Sequence, residues 1–405
     1  STSSAASDVY KRQVVMIPTI KTSPTLFAAL TATALLVFQP SPASARTTLQ
    51  LDNGNVLSFS DGSIDMVTGS GELFDVSVVE YGEEVARAEY VRIDATGNLG
   101  QADWFVNELV ADNLEAVEEG IFIGRAELRD IAMGMLAMDD EMVDYEQYLT
   151  PGTSVLLENI GMADEEALFS VDRVASLPFG FDLLNDGQQI VTNAGIEVDG
   201  FTMMPLDGSA AGSDPMFQKL AERGITDVGM DLKIASGVRL AGDSMTMFYG
   251  IEAAMRDLTE IRFNVALSMA QVSYSQLVPM LSSPEDNGAA LLGLSGAVSL
   301  DAAEIVIDDR GLLDILFEIA AEEEGVSDGD MRTMARMVLA SALQGTFPEN
   351  AANLLPPIEA LISQGGELQV LAQPGMPVPL SSSLGFMMLP DMAIQQLGIT
   401  VTHMP

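Results

Sequence analysis

Short segments in which apolar and polar side chains alternate recur along most of this chain, and they constrain its fold more than any other feature. An alternation with a period of two residues is typical of a β-strand with one face on a core and the other in solvent. Turn-forming pairs such as Asp61-Gly62 and Asp207-Gly208 separate the segments. The predicted strands cover residues 56–60, 63–68, 72–80, 85–95, 120–133, 153–162, 168–175, 195–203, 225–235, 245–256 and 260–270. The pattern predicts an α+β, predominantly β fold, with a long curved antiparallel sheet of many short strands.

A weak motif, apolar-x-[Asp/Asn]-apolar-x-apolar, recurs within these strands. It occurs at residues 74–78 in a shortened form, 128–133, 157–162, 225–230 and 255–260, with a relative at 198–201. The apolar positions before and after the Asp or Asn have opposite parity, so a flat strand would place them on opposite faces. A β-bulge or a twist at the Asp or Asn would return them to one face. The motif marks either a repeated β-unit that stacks into one long sheet or a chance recurrence in a strand-rich chain.

Helical spacing of apolar residues is concentrated in the last third of the chain. Predicted helices cover residues 214–223, 274–281, 311–324, 327–343, 357–364 and 390–397, and further strands cover 302–307, 367–372 and 399–403. Ser327 is expected to cap its helix, with Asp330 three residues later. The sequence therefore predicts a β-rich region over residues 46–300 and an α+β region with a helical cluster over residues 301–405.

Residues 16–45 have the three parts of a secretory signal peptide. Lys21 gives a short positive region, residues 26–38 form an apolar run, and residues 43–45 form a small-x-small cleavage site. The run is shorter than the roughly 20 residues that a transmembrane helix needs. The preceding residues, 1–15, resemble the translation of a common sequencing adapter, and we expect them not to be native. We expect an exported, soluble periplasmic protein, with secretion as the alternative.

The charge balance and the missing residue types exclude several classes of function. The chain has 59 acidic and 18 basic residues, a net charge of −41, so nucleic acid and anionic membrane surfaces would repel it. It has no cysteine, which excludes thiol catalysis, thiolate zinc sites and iron–sulfur clusters. Its single histidine, His403, lies near the C-terminal end, a poor place for a catalytic base. We expect a protein that is not an enzyme and that uses no cofactor.

Methionine, present 24 times, supplies the candidates for a binding surface. Thioethers bind Cu(I), but copper sites usually add His or Cys. The other interpretations are plain core packing and an adaptable apolar groove. The candidate residues for contact with a hydrophobic ligand are Met133, Met135, Met203, Met245, Met247 and Phe248.

Two acidic clusters are candidate calcium sites, because Ca²⁺ takes oxygen ligands. The denser cluster contains Asp139, Asp140, Glu141 and Asp144, and the second covers residues 322–330. Neither has the ligand spacing of an EF-hand loop. A solvated acidic surface is the alternative interpretation of both.

Two C-terminal sequences, IVIDDRGLLDILFEIAAEEEGVSDGDMR and GGELQVLAQPGMPVPL, accompany the succession of strands without cysteine. Together they resemble AsmA-like and YdgA-like periplasmic envelope proteins and uncharacterised alphaproteobacterial relatives. We expect a departure from AsmA-like proteins at the N-terminus, because the predicted signal peptide would leave no retained anchor. The resemblance implies a long curved β-sheet with an apolar concave face and a role in envelope maintenance or lipid handling. We expect a non-enzymatic protein that binds a lipid, another hydrophobic ligand or an envelope partner, and no nucleic acid. The alternative is a structural or surface interaction protein with calcium-stabilised acidic loops. The sequence leaves the oligomeric state open.

Overall fold

The computed structural model describes residues 36–37, 46–51, 56–98, 103–117, 120–132, 149–274 and 296–405. Within these ranges, nineteen strands form one antiparallel sheet, in which most strands pair with their neighbours in sequence. The nineteenth and last strand pairs with the seventeenth, and the sheet is open.

The strands differ widely in length. In the first half of the chain they are β1 (Leu36–Val37), β2 (Thr47–Leu51), β3 (Val56–Phe59), β4 (Asp61–Ile64), β5 (Gly71–Glu80), β6 (Glu83–Thr96), β7 (Phe105–Ala116), β8 (Ile121–Ile131), β9 (Ser154–Ala163), β10 (Ala167–Ser176), β11 (Gly180–Leu183) and β12 (Gln189–Pro205). In the second half they are β13 (Val228–Ala241), β14 (Ser244–Met255), β15 (Thr259–Ala270), β16 (Ser299–Asp309), β17 (Gly366–Ala372), β18 (Val378–Pro379) and β19 (Ile399–Met404).

The helices follow the long strands. The α-helices bounded within the described ranges are α1 (Pro215–Glu222), α2 (Leu312–Glu324), α3 (Asp328–Thr346), α4 (Ala351–Gln364), α5 (Ser383–Met388) and α6 (Pro390–Gln396), with short 3₁₀ turns at Ala211–Ser213 and Leu380–Ser382. The Ser327 hydroxyl accepts a hydrogen bond from the Asp330 amide, so the predicted cap of α3 is confirmed.

The predicted fold class, a predominantly β protein with a long antiparallel sheet and a helical cluster near the C-terminus, is confirmed. Several details differ from the expected elements. The sequence alternation does not predict β7, and α4 begins at Ala351 rather than at 357, with Pro356 and Pro357 inside the helix. The sheet is continuous across residue 300, because β16 pairs with both β15 and β17. The predicted helix at 274–281 lies almost wholly outside the described residues.

Seven neighbouring strands, β5 to β10 and β12, share a kink at one level of the sheet. The residues with positive φ at this level are Asp75 (49°), Asn113 (52°), Asn159 (54°) and Gly200 (69°). These residue types adopt the left-handed conformation most readily. Each kinked strand turns two consecutive side chains outward, so Leu73 and Val76, three positions apart, are both buried. β5 and β6 keep the same register on both sides of the kink, which is therefore a twist and not an inserted residue.

This level of the sheet, the kink row, also contains the residues that face the left-handed positions on the intervening strands: Glu89, Gly124 and Asp172. The predicted return of both apolar positions of the motif to one face is confirmed around Asn159, where Leu157 and Ile160 both pack against the core. It is wrong for the shortened copy, because Phe74 is 42% exposed and Val76 is buried.

The kink at Gly200 is held by a side chain from the next strand. The Gly200 amide donates to Oδ1 of Asp231 at 2.7 Å, and Nη2 of Arg256 donates to the same oxygen at 3.2 Å. Burial would raise the pKa of Asp231, but the bond from the Gly200 amide and the ion pair with Arg256 outweigh it and lower the pKa. The ionised form of Asp231 is therefore the one that stabilises the fold.

Replacing Asp231 by asparagine is expected to lower the free energy of unfolding by about 1 kcal/mol at pH 7, because a charge-assisted hydrogen bond becomes a neutral one. A lowered folded-state pKa contributes stability above the unfolded-state pKa and loses it as the pH falls through the folded-state pKa. The difference between variant and wild type should therefore begin to shrink near pH 4, the ordinary pKa of an aspartate, and vanish only below the lowered folded-state pKa. Urea midpoints at pH 7 and pH 3 test this, with the exposed turn variant Asp207→Asn as control. An equal difference at both pH values would contradict it.

The apolar face of β2 to β8 closes into a core. Its most deeply buried side chains, none more than 2% exposed, are Leu49, Leu57, Leu73, Ala111, Ile123 and Ala126. These residues lie on one face of strands that pair side by side, so the sheet curves around them. Trp104 also belongs to this core, and its Nε1 donates to the Thr68 carbonyl at 2.9 Å.

Candidate functional site

A line of apolar side chains crosses the sheet from β12 to β19. Backbone pairing sets these residues directly opposite one another in the order Ile196, Ile234, Ile251, Phe263, Ile305, Val370 and Val401. Directly paired residues point to the same face, so the seven side chains form one continuous line, here called the isoleucine row. With neighbouring strands about 4.8 Å apart, the row is about 29 Å long.

The isoleucine row is open to solvent from its β12 end to β16. Ile196, Ile234, Ile251 and Ile305 are between 39% and 43% exposed, although the same face of β2 to β8 is buried. An isolated exposed apolar side chain is ordinary, but a contiguous exposed line marks a ligand or partner site. The row therefore is the strongest candidate for a functional surface in the described residues.

The rows on either side are equally free of charge. One contains Val198, Leu232, Ala253, Ile261, Ile307, Leu368 and His403. The other contains Ala194, Ser236, Tyr249, Val265, Ala303, Ala372 and Ile399. In these three rows, all within the described residues, no Asp, Glu, Lys or Arg occurs. We call this surface the apolar trough.

The trough is closed at both ends along the strand direction. At one end, Val228 and Met255 pack against Leu220 of α1 and Ile315 of α2. The cluster at the other end contains Leu184, Ile190, Met245, Met247, Met269 and Val298. The open part between Ala253 and Tyr249 measures about 14 Å, at about 3.4 Å per residue.

Helix α4 covers the trough at its β19 side. It packs against β17 and β19, where Ile399, Val401 and His403 are the half-buried side chains. The His403 ring nitrogen Nε2 lies 2.7 Å from the Gly365 carbonyl oxygen at the end of α4. This single histidine is thus bound to the backbone at the edge of the trough.

The opposite face of the same strands carries the charges. Lys233 Nζ lies 2.6 Å from Glu197 Oε1, and Arg262 Nη2 lies 3.2 Å from Glu367 Oε2. The hydrogen bond from Lys233 lowers the pKa of Glu197, and Arg173 adds to this against a partial burial that would raise it. The sheet therefore has a polar face held by ion pairs and a trough face without charge.

The structure separates the methionine and phenylalanine candidates. Met245 and Met247 are buried in the cluster that closes one end of the trough, so they form its wall and not its exposed floor. Met203 lies on the trough face, half-buried, opposite Phe169 and Val228. Phe248 does not share a face with Met203, Met245 and Met247, contrary to the expected grouping. It follows Met247 directly, so it points to the polar face, where the Arg239 guanidinium lies 5.0 Å from its ring.

Met133 and Met135 lie outside the described residues, as do the calcium candidates Asp139, Asp140, Glu141 and Asp144. In the second acidic cluster, Glu322 pairs with Lys219 at 2.5 Å and Asp328 pairs with Arg332 at 3.0 Å. Within the described ranges, no three His, Asp or Glu side chains are grouped as a metal site requires. None of the helices in the described part of the chain combines the length and apolar character of a membrane span.

Residues 253–404 match a family model described only as "Uncharacterized protein". A comparison with curated proteins finds no match. The matched segment begins near the end of β14 and includes β15 to β19 and helices α2 to α6. It therefore contains four of the seven residues of the isoleucine row and the helix that covers its β19 side.

Proposed function

We propose that this protein is a non-enzymatic periplasmic envelope protein that binds a lipid or a similar hydrophobic ligand in the apolar trough. The observation that carries the proposal is the isoleucine row, which is continuous across seven strands, exposed from β12 to β16 and free of charge on both sides. A folded chain leaves such a line uncovered at a stability cost, which a bound apolar ligand removes.

The dimensions of the trough suit an acyl chain. The hydrocarbon core of a bilayer is about 30 Å thick, so one leaflet's chain spans about 15 Å. The isoleucine row is about twice that length, and each methylene that leaves water contributes about 0.8 kcal/mol. A chain that lies along the row contacts one apolar side chain at each strand.

Charge and export pattern support the same proposal. The trough offers no cation to an anionic soluble substrate, whereas an acyl chain needs none. The export pattern of residues 16–45 and the resemblance to AsmA-like envelope proteins support a periplasmic location.

The proposal predicts that lipid co-purifies with the protein and that charge in the trough expels it. Ile234 and Ile251 pair directly, so glutamates at both positions place two carboxylates in the exposed middle of the trough. We expect the Ile234→Glu/Ile251→Glu variant to retain no more than about one tenth of the lipid per protein that the wild type retains. The reason is that an ionised carboxylate is not transferred into hydrocarbon. Mass spectrometry of lipids extracted from the purified proteins measures this.

A matched control exists on the polar face. Leu168 and Met204 also pair directly and are 39% and 44% exposed, so Leu168→Glu/Met204→Glu adds the same charges to the same sheet outside the trough. This control should retain lipid as the wild type does. A wild type without enriched lipid, or equal loss in both variants, would rule the proposal out.

A further inference from the structure

The C-terminal part of the chain is almost free of charge. From Leu368 to Pro405, Asp391 is the single Asp, Glu, Lys or Arg, in a chain with 59 acidic and 18 basic residues. Asp391 itself is engaged, because its Oδ1 accepts a hydrogen bond from Asn350 Nδ2 at 2.8 Å. This segment therefore interrupts an otherwise strongly acidic surface.

Large apolar side chains protrude from the same segment. The C-terminal apolar surface, as we call it, consists of Met388 (83% exposed), Leu389 (57%) and Met392 (43%) in and between α5 and α6, while Met376 (79%) and Met404 (51%) are exposed elsewhere in the segment. An exposure near 80% leaves a side chain surrounded by water on almost every side. Methionine is flexible and polarisable, and it adapts to irregular apolar partners.

This surface lies beside the trough. Met388 is the last residue of α5, and Met392 is in α6, which packs against β19. β19 contributes Val401, the last member of the isoleucine row. The protruding side chains are therefore carried by the elements that form the β19 side of the trough.

We infer that the C-terminal apolar surface docks on the surface of a zwitterionic lipid bilayer. The inference rests on the proposed function, since it places the trough where a lipid enters or leaves it. Apolar side chains with few neighbouring charges bury themselves at the boundary between headgroups and acyl chains, and the one carboxylate here, Asp391, is hydrogen-bonded to Asn350. The rest of the chain is acidic and stays in water.

Charge favours a neutral bilayer over a second copy of this chain. Two copies, each with a net charge of −41, would repel each other as they approach. A phosphatidylcholine surface carries no net charge, and an anionic lipid would restore the repulsion. An uncharged segment in an acidic chain is therefore better suited to a neutral bilayer than to a second copy of the chain.

Flotation with phosphatidylcholine vesicles tests the inference. We expect wild type to float with these vesicles and to float less as phosphatidylglycerol replaces phosphatidylcholine. Met388→Glu/Leu389→Glu should lower the vesicle-bound fraction by about tenfold or more, because two apolar side chains lose their burial. The control Met66→Glu/Val67→Glu changes another exposed Met and its aliphatic neighbour, in the turn between β4 and β5, and should float as wild type does.

Binding of the neutral dye N-phenyl-1-naphthylamine separates this inference from the proposed function. The Met388→Glu/Leu389→Glu variant should bind the dye as wild type does, and Ile234→Glu/Ile251→Glu should float normally but lose the dye. A wild type that does not float overturns the docking inference. Sedimentation that shows a wild-type dimer, lost in Met388→Glu/Leu389→Glu without any vesicle binding, would assign the surface to a second copy and overturn it as well.

Discussion

Replacing Gly200 by valine is expected to lower the free energy of unfolding by about 3 kcal/mol or more. Gly200 has a φ of +69°, and a Cβ at this position would lie 2.1 Å from Oδ2 and 2.7 Å from Cβ of Asp172. A β-branched side chain disfavours the left-handed conformation and would also push Asp172 out of its strand. Urea denaturation followed by circular dichroism measures the loss.

The same substitution elsewhere in the sheet provides the control. Gly161, in β9, has no heavy atom within 4 Å of an added Cβ, so Gly161→Val should leave stability unchanged or raise it. Equal urea midpoints for Gly200→Val and wild type would mean that the kink does not depend on glycine.

Replacing Trp104 by alanine is expected to lower the free energy of unfolding by about 3–5 kcal/mol. Trp104 is 3% exposed in the core of β2 to β8, and its Nε1 holds the Thr68 carbonyl in the turn before β5. The variant loses the apolar contacts of the indole and leaves that carbonyl without its donor. Circular dichroism must follow the transition, because Trp104 is the single tryptophan.

Trp104→Phe separates packing from hydrogen bonding. Phenylalanine keeps an aromatic ring but has no N–H, so it should lose about 1–3 kcal/mol, less than alanine does. Equal losses for the two variants would show that the hydrogen bond to Thr68, and not the packing, dominates.

Local sequence pattern predicts the strands of this fold well, because each strand faces a core or trough on one side and water on the other. β7 is an exception. There Leu109, Val110 and Ala111 are buried in succession and Asn113 adopts a positive φ, so the strand does not show the alternation. In α4, the prolines at 356 and 357 look like the start of a helix but lie inside it.

The candidate site was only partly accessible from the sequence, because it depends on register. Each isoleucine of the row is an ordinary strand residue by itself. Only the pairing of Ile234 with Ile251, and the continuation of that pairing to neighbouring strands, makes a line of them. Among the candidates chosen from the sequence, Met203 lies on the trough face. Phe248 lies on the polar face, as its position directly after Met247 in a strand requires.

The antiparallel pairing that builds the isoleucine row also fixes the increment by which the length of the row can change. Each hairpin adds two members and about 10 Å to the row. The insertion or deletion of a hairpin would change the length of the apolar surface in whole steps, while every strand except the two that flank the change keeps its partners. Selection for a longer or shorter ligand can therefore act on the number of hairpins without redesign of the kink row or of the clusters that close the trough.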